Sequence, residues 1–529
     1  MLCLLALAAC DPKLPDADRG DTGQIDDGTA ASEGPGDTST PTDTAASTDT
    51  SATDSAAPAD PDWTVGDGGD FSTLQEALDA SADGDVIAVS PGTYVECLTF
   101  PAWQVSVHAE SEAAIVADEA CTAAEQALLT VDGSAEGSLS GFELGADHDI
   151  AAVTGSLSLT NVTVAGADRV LVSDGGQLFL SGGSFTSNGA GSGAAIKAES
   201  RATVVIEGTT FRSNQAETFG GAIRAEDADV SCTGCVFEHN SAALAGGAIY
   251  SVGGDLTLVD SSFDGHTTQS SGGAIYFDGQ GSHTLSIDGS AFSDNESATG
   301  GALVTLDATL EIRGSSFTSN QVVDDGDGGV LHATTSTLLT LIDNDFCDTS
   351  SYKGTLYLLG AGNGSEVANN RFVRNTTFEG GGVYAVNPDG LDITNNAFVS
   401  NVATGEGPDL YINGYDGFSV VNNVHAWSQG LSTIRLYNTP FSEFDVTYNL
   451  FHVTSTTAQN VNGSAGNALI EDEPAFSSFD PSGSGCTYNL APVKGSPLID
   501  AGDPDVQDAD GTKPSDVGAY GGPDAPDAP

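Results

Sequence analysis

Residues 211–223 read Phe-Arg-Ser-Asn-Gln-Ala-Glu-Thr-Phe-Gly-Gly-Ala-Ile, and residues 237–249 read Phe-Glu-His-Asn-Ser-Ala-Ala-Leu-Ala-Gly-Gly-Ala-Ile. Both stretches carry a Phe, an Asn three residues later, and then Gly-Gly-Ala-Ile. The pattern extends well beyond them. Phe185, Phe211, Phe237, Phe263, Phe292, Phe317, Phe346, Phe372 and Phe398 follow one another at 26, 26, 26, 29, 25, 29, 26 and 26 residues. Asn188, Asn214, Asn240, His266, Asn295, Asn320, Thr349, Asn375 and Asn401 keep step with them. So do the glycine pairs that contain Gly221, Gly247 and Gly273, and those at Gly300-Gly301, Gly328-Gly329 and Gly381-Gly382. A fixed period in the twenties means stacked units, one per repeat.

Each repeat contains short alternating runs, such as Thr-Val-Val-Ile-Glu at 203–207 and Leu-Thr-Leu-Val at 256–259. Period-2 alternation over four to six residues reads as strand, and no helical period of useful length is present. Three short strands and their turns fill one repeat. The fold predicted is all-β: a single-stranded right-handed parallel β-helix over residues 97–500, its coils at the strand spacing of about 4.8 Å. The Phe residues would form an internal ladder. The glycines would sit at a corner that excludes Cβ. The Asn residues would take up left-handed turn conformations and hydrogen-bond to their own kind along the stack.

The paired words Phe-x-x-Asn and Gly-Gly-Ala-Ile resemble the repeats of the chlamydial polymorphic outer-membrane proteins. More widely they resemble the pectin-lyase-like right-handed β-helix proteins, over roughly residues 61 to 522. That resemblance implies a fold and leaves function open, because this fold carries lyases, hydrolases, esterases, epimerases and adhesins. No membrane-barrel strands follow the repeats, so the resemblance to the chlamydial proteins stops short of their pore.

Residues 61–96 read as an N-terminal cap and first coil. Ser72 is the predicted N-cap of a short helix whose Leu74, Ala77 and Leu78 share one face. Gly92, Tyr94 and Glu96 then form a Gly-x-Tyr-x-Glu word similar to the opening of pectin methylesterases. Such a helix would cover the open core and unpaired edge of the first coil. Residues 501–529 read as a C-terminal cap with a frayed tail.

Upstream lies a different kind of sequence. Residues 1–10 are apolar and end in Leu7-Ala8-Ala9-Cys10, which resembles a bacterial lipobox with Cys10 as the lipidated residue, although no basic n-region precedes it. Ten residues are too few to cross a bilayer. Residues 11–60 hold twelve acidic side chains against Lys13 and Arg19, with almost no large apolar residue. That composition predicts a disordered tether. Lipid, tether and rigid repeat suggest an exported lipoprotein, displayed at the outer membrane or cell surface or facing the periplasm.

The net charge is −61, with only 14 Lys and Arg. Direct binding to nucleic acid is excluded, since it needs clustered cations. Cys97 and Cys121 lie about one coil apart and are disulfide candidates. Cys232 and Cys235 form a CxxC, read as a local disulfide or a redox or metal half-site. Cys347 and Cys486 have no assigned partner.

The candidates for catalysis are Asp324, Asp325 and Asp327, a carboxylate cluster in one of the longer repeats, with His332 close behind. Lys353, Arg371 and Arg374 are the candidate basic groups of a lyase. The words that mark polygalacturonases, methylesterases and alginate epimerases are absent. No cofactor is required by any motif. Ca²⁺ is the one possible ion, at Asp503, Asp505, Asp508, Asp510 and Asp516. Asp508-x-Asp510-Gly511 imitates part of an EF-hand loop, but Val506 and Val517 occupy its first and last ligand positions. Two functions stay open. One is a monomeric, lipid-anchored adhesin or binding surface for a polysaccharide or surface protein. The other is a polysaccharide lyase or hydrolase.

Overall fold

The computed structural model describes residues 60–124, 126–167, 169–334, 338–414, 417–438, 444–452, 459–462 and 473–526. Cys10 and the tether up to residue 59 lie outside the described residues. No described helix is long and apolar enough to cross a membrane.

The chain winds as a right-handed parallel β-solenoid. A typical coil runs through strands Thr203–Glu207, Thr210–Arg212, Gln215–Ala216 and Ile223–Glu226. The first two belong to a bent 29-stranded sheet, here sheet A. The last belongs to a 15-stranded sheet B, and the two-residue strand between them to a narrow sheet C. The pairings between coils are parallel and, apart from a register shift between strands Gln104–Val116 and Glu136–Gly145, in step, so equivalent residues stack.

The phenylalanine column follows from that register. Phe185 pairs with Phe211, Phe211 with Phe237, and so on to Phe398. Their ring centroids lie 4.6 to 5.4 Å apart. The column then continues through a residue of another kind: His425 pairs with Phe398, and Phe451 with His425.

Asn188, Asn214 and Asn240 are buried and chained: Oδ1 of Asn214 and of Asn240 each accepts from the backbone and side-chain amides of the Asn one coil earlier, and Asn188 Oδ1 from the Ala167 amide. Asn214 Nδ2 lies 2.9 Å from Asn240 Oδ1. The other end of each amide is satisfied as well: Asn214 Nδ2 donates to the Phe185 carbonyl at 3.0 Å. The left-handed residue of this turn is not the Asn, as expected from sequence, but the one before it, among them Ser187, Ser213, His239, Asp294 and Ser319. The Asn is selected for its inward amide. The turn strain is borne by its neighbour.

The glycine pair divides its work. Gly220, Gly246 and Gly272 have φ near +62° to +67°. Gly221, Gly247 and Gly273 lack space instead, since a Cβ there would meet the next coil's carbonyl oxygen at 2.0 to 2.1 Å. In the later repeat the register set by Val383 makes Gly380 and Gly381 the working pair, one residue earlier than the word Gly381-Gly382 suggests.

At the N-terminal end, helix Leu74–Ala80 buries Leu74, Ala77 and Leu78 in the solenoid core. Its N-cap is Thr73 rather than Ser72. The Glu96 carboxylate accepts from the Leu74 and Gln75 amides at 2.8 and 2.9 Å, so the Gly-x-Tyr-x-Glu acid serves this helix terminus. A second helix, Glu119–Ala124, was not foreseen. It carries Cys121, whose sulfur is bonded to that of Cys97.

The described C-terminal segment spans residues 473–526. It runs along the flank of the solenoid and covers Val373, Ala397, Val399, Val424 and Ala426. Three Asn-Asn pairs hold it. The first members, Asn369, Asn395 and Asn422, are left-handed and reach outward. Their side-chain amides donate to Gly521 O at 2.7 Å, Asp516 O at 3.1 Å and Ser515 Oγ at 2.9 Å. The second members, Asn370, Asn396 and Asn423, point inward and build another amide column. A disulfide between Cys347 and Cys486 staples the segment to the body.

Candidate functional site

The three aspartates named as catalytic candidates do not act together. Asp324 takes a left-handed turn conformation with φ of 57°. Asp327, at the corner that leads into sheet B, lies 3.8 Å from Lys353 Nζ on the next coil. Lys353 in turn lies beside Glu379. Its ammonium sits 5.5 to 6.0 Å from the ring centroids of Tyr352, Tyr357 and Tyr384. Glu406, one coil further, forms an ion pair with Arg435, whose Nε lies 2.7 Å from its carboxylate. Burial raises the carboxyl pKa of Asp327, an effect that the Lys353 charge opposes. Burial likewise raises Glu379. It pushes His332 down to about 4, so that imidazole is neutral at pH 7. The phenols of Tyr357, Tyr384 and Tyr411 are raised by burial too, which removes them as bases at neutral pH.

These tyrosines stack on one another along sheet B. Tyr384 and Tyr411 lie 4.6 Å apart and nearly parallel, and Tyr357 lies 5.5 Å from Tyr384. A ring inside such a stack offers its edge and hydroxyl, while its faces are already taken.

Arg371 and Arg374 serve the C-terminal segment. Arg371 bridges Asp343 and Asp345 at 2.7 and 2.6 Å and lies over the Tyr520 ring. Arg374 donates to Asp480 O at 2.9 Å and also holds the Gly485 carbonyl, with its guanidinium over Phe479. Neither is free to abstract a proton.

The C-terminal aspartates are engaged by their own backbone. Asp508 accepts from the Asp516 and Gly522 amides, at 3.0 and 2.6 Å. Asp503, Asp510 and Asp516 accept from the amides of Asp505, Thr512 and Asp500. Among the described residues, the metal-ligating groups that converge are Cys97 with Asp118 and Cys121, and Cys347 with Asp348 and Cys486. In both the sulfurs are bonded to each other, which leaves one carboxylate and no thiolate. Cys232 and Cys235 are also bonded to each other, with both side chains in the core.

One concave feature belongs to the repeats themselves. A groove of about 980 Å³ runs along sheet C from Gly189 to Val323. Its floor carries small residues at one coil position, including Ala190, Ala216 and Ala242, while Gln215, Glu217 and Gln269 stand along it. Sheet C forms this groove because its strands are two residues long and their side chains small. Sequence reasoning missed it. The signal was the small residue two positions after each ladder Asn. The second Asn column, at Asn344, Asn370, Asn396, Asn423 and Asn449, was legible too, as an Asn two residues before each ring of the column, in the words Asn-x-Phe and Asn-x-His.

Residues 154–346 match a family model described as a right handed beta helix region. The match spans the groove and ends before Lys353. With the parallel solenoid, it supports the pectin-lyase-like class of β-helix. No curated protein matches the chain.

Proposed function

We propose that this chain is a display and binding protein: a lipid-anchored β-helix whose groove holds an extended polymer, without turnover. The observation that carries this reading is the groove on sheet C. It crosses successive coils and offers equivalent atoms at each, as an extended chain with a short repeat requires. Its ionisable groups, Arg169, Glu217 and Glu296, include no paired carboxylates across a cleft, as a hydrolase needs. The surplus of acid in the chain favours a neutral or cationic polymer over a uronate. The lipobox-like end at Cys10 and the acidic, apolar-poor composition of residues 11–60 support the display part of this reading. Ca²⁺ held weakly by the C-terminal aspartates is compatible with it and is not needed for it.

A second reading, a polysaccharide lyase or hydrolase, draws on Asp327 and Glu379, whose carboxyls are raised beside Lys353. One experiment separates the two. The full chain is incubated with soluble neutral and acidic polysaccharides, and retention in affinity electrophoresis and new reducing ends are read from the same reactions. Retention without new ends, lost on Ser241→Arg with Thr267→Arg, supports binding in the groove. New reducing ends that vanish on Asp327→Ala would overturn it in favour of the enzyme.

A further inference from the structure

Along the corner between sheets C and B, one residue per coil forms a row. In the later coils this row is Tyr352, Phe378, Gly405 and Leu431, joined by backbone hydrogen bonds from Phe378 N to Tyr352 O, Gly405 N to Phe378 O and Leu431 N to Gly405 O. In the groove's coils the same corner carries Thr218 and Leu244, linked in the same way. Tyr352 and Phe378 stack at 4.8 Å with 4° between their planes. The stack then stops, because the next rung is a glycine. A Cβ on Gly405 would meet Phe378 O at 2.7 Å, Glu379 Cγ at 3.3 Å and Phe378 Cε1 at 3.5 Å, so no side chain of this rung can stand over the ring. Phe378 is 40 % exposed, and Leu431, one rung beyond the gap, is 58 % exposed.

The tyrosines of sheet B have their faces covered by one another. Phe378 is different: it is the terminal ring of its stack, with a glycine at the next rung and an aliphatic side chain at the rung after. A gap of one coil matches the thickness of one ring, since rings along this solenoid already stack at that repeat. The rim of the gap is polar. Glu379 and Glu406 follow Phe378 and Gly405 directly in sequence, and Arg435 is bound to Glu406.

From this geometry we infer that the gap at Gly405 is a binding slot for one pyranose ring of a neutral or amino-bearing glycan, stacked on Phe378 and bounded by Leu431. A pyranose has apolar C–H faces and a hydroxylated edge, which suits an aromatic floor with carboxylate and guanidinium groups around it. A phenyl ring could stack there but would offer no hydroxyl to the outer atoms of the rim pairs. A uronate would meet Glu379 and Glu406. The slot lies further along the corner that walls the groove, so the inference rests on the binding reading above and names the chemistry of its ligand.

The test is isothermal titration of the full chain with cellohexaose, with the hexamer of β-1,4-linked glucosamine and with hexagalacturonate. Phe378→Ala, Phe378→Trp and the groove pair Ser241→Arg with Thr267→Arg are titrated alongside, and circular dichroism checks the fold of each. The expected result is binding of the first two sugars and not the third. Phe378→Ala should weaken binding about tenfold, and Phe378→Trp should retain it. Affinity unchanged by Phe378→Ala overturns the slot. If the groove pair then abolishes binding, the groove reading stands without the slot; if neither variant matters, both fall. Binding of hexagalacturonate alone, or of none of the three, also overturns the slot.

Discussion

His425 occupies the rung between Phe398 and Phe451 in the phenylalanine column, and its Nδ1 lies 2.9 Å from Asp409 Oδ2 in the core. Neither side chain is exposed. Asp409 also accepts from Ser428 Oγ at 2.6 Å and Asn401 Nδ2 at 3.1 Å. These groups resemble a catalytic set in kind only, because both the Ser and the His are spent on the carboxylate and no solvent reaches them. In the coil before, the same positions hold Gly382, Phe398 and Asn401. Three coordinated changes have replaced apolar and amide rungs by a buried polar network. Asp409→Ala should cost about 3–5 kcal/mol, since it leaves buried partners unpaired. The triple variant Asp409→Gly, His425→Phe, Ser428→Asn should recover most of that loss. Chemical denaturation of the single and triple variants checks both.

His266 gives a pH dependence of defined sign. It stands in the Asn column, buried, where Asn240 N donates to its Nδ1 at 3.0 Å, and burial pushes its pKa down to about 4. Unfolded, it binds a proton near 6.5. Between 6.5 and 4 the unfolded chain therefore holds more protons, and stability falls as pH falls. The full shift is worth about 3 kcal/mol. His332 adds to this loss, whereas Asp327, Glu379 and Asp516, all raised by burial, oppose it. His266→Asn isolates the effect. Its advantage over the parent in denaturation midpoint should grow from pH 6.5 down to pH 4 and then stay constant.

The Asn-Asn pairs should separate under mutation. Asn396→Ala breaks an inward amide column and should lower global stability by about 2–3 kcal/mol. Asn395→Gly keeps the left-handed turn at this position and touches only the grip on the C-terminal segment. It should leave the solenoid's midpoint nearly unchanged and speed proteolysis within 473–526. Trp427, which stacks on Phe479 of that segment at 5.5 Å, reports release through its fluorescence.

Cys486→Ala should act on the same segment. The bond it removes joins residues 139 apart in sequence. Loss of the staple should expose Val373, Val399 and Val424, seen as increased binding of a hydrophobic dye, while the far-ultraviolet dichroism of the β-solenoid persists.

Chelation offers a further check. Backbone amides already donate to the carboxylates of Asp503, Asp508, Asp510 and Asp516. Neither EDTA nor millimolar Ca²⁺ should move the thermal midpoint, and a rise of several degrees with Ca²⁺ would show a bound ion.

The fold was legible because its stabilising residues repeat in register. Phe211, Asn214 and Gly221 recur at one period, and periodicity is visible in a single sequence. What stayed hidden has no period. The partner of Cys347 lies in a segment that folds back along the flank, and only the three-dimensional path brings Cys486 to it. The exchange at Asp409, His425 and Ser428 is spread over 20 residues, and each change taken alone reads as a lapse in the repeat. Asp327 was picked out for its acidic neighbours, yet its partners, Lys353 and Glu379, come from the next two coils. The open face of Phe378 depends on a glycine 27 residues away.

The outward amides of Asn369, Asn395 and Asn422 sit on three consecutive coils and meet one short stretch of the C-terminal segment, at Gly521, Asp516 and Ser515. The C-terminal chain is thus a ruler laid against the stack, with its marks one rung apart. Excising one coil between Asn369 and Asn422 would leave each remaining coil intact and still put the ruler out of step by a rung. Repeat proteins commonly gain and lose units freely. Here the number of rungs beneath the ruler is fixed by the length of the ruler, while the coils ahead of Cys347 remain free to vary.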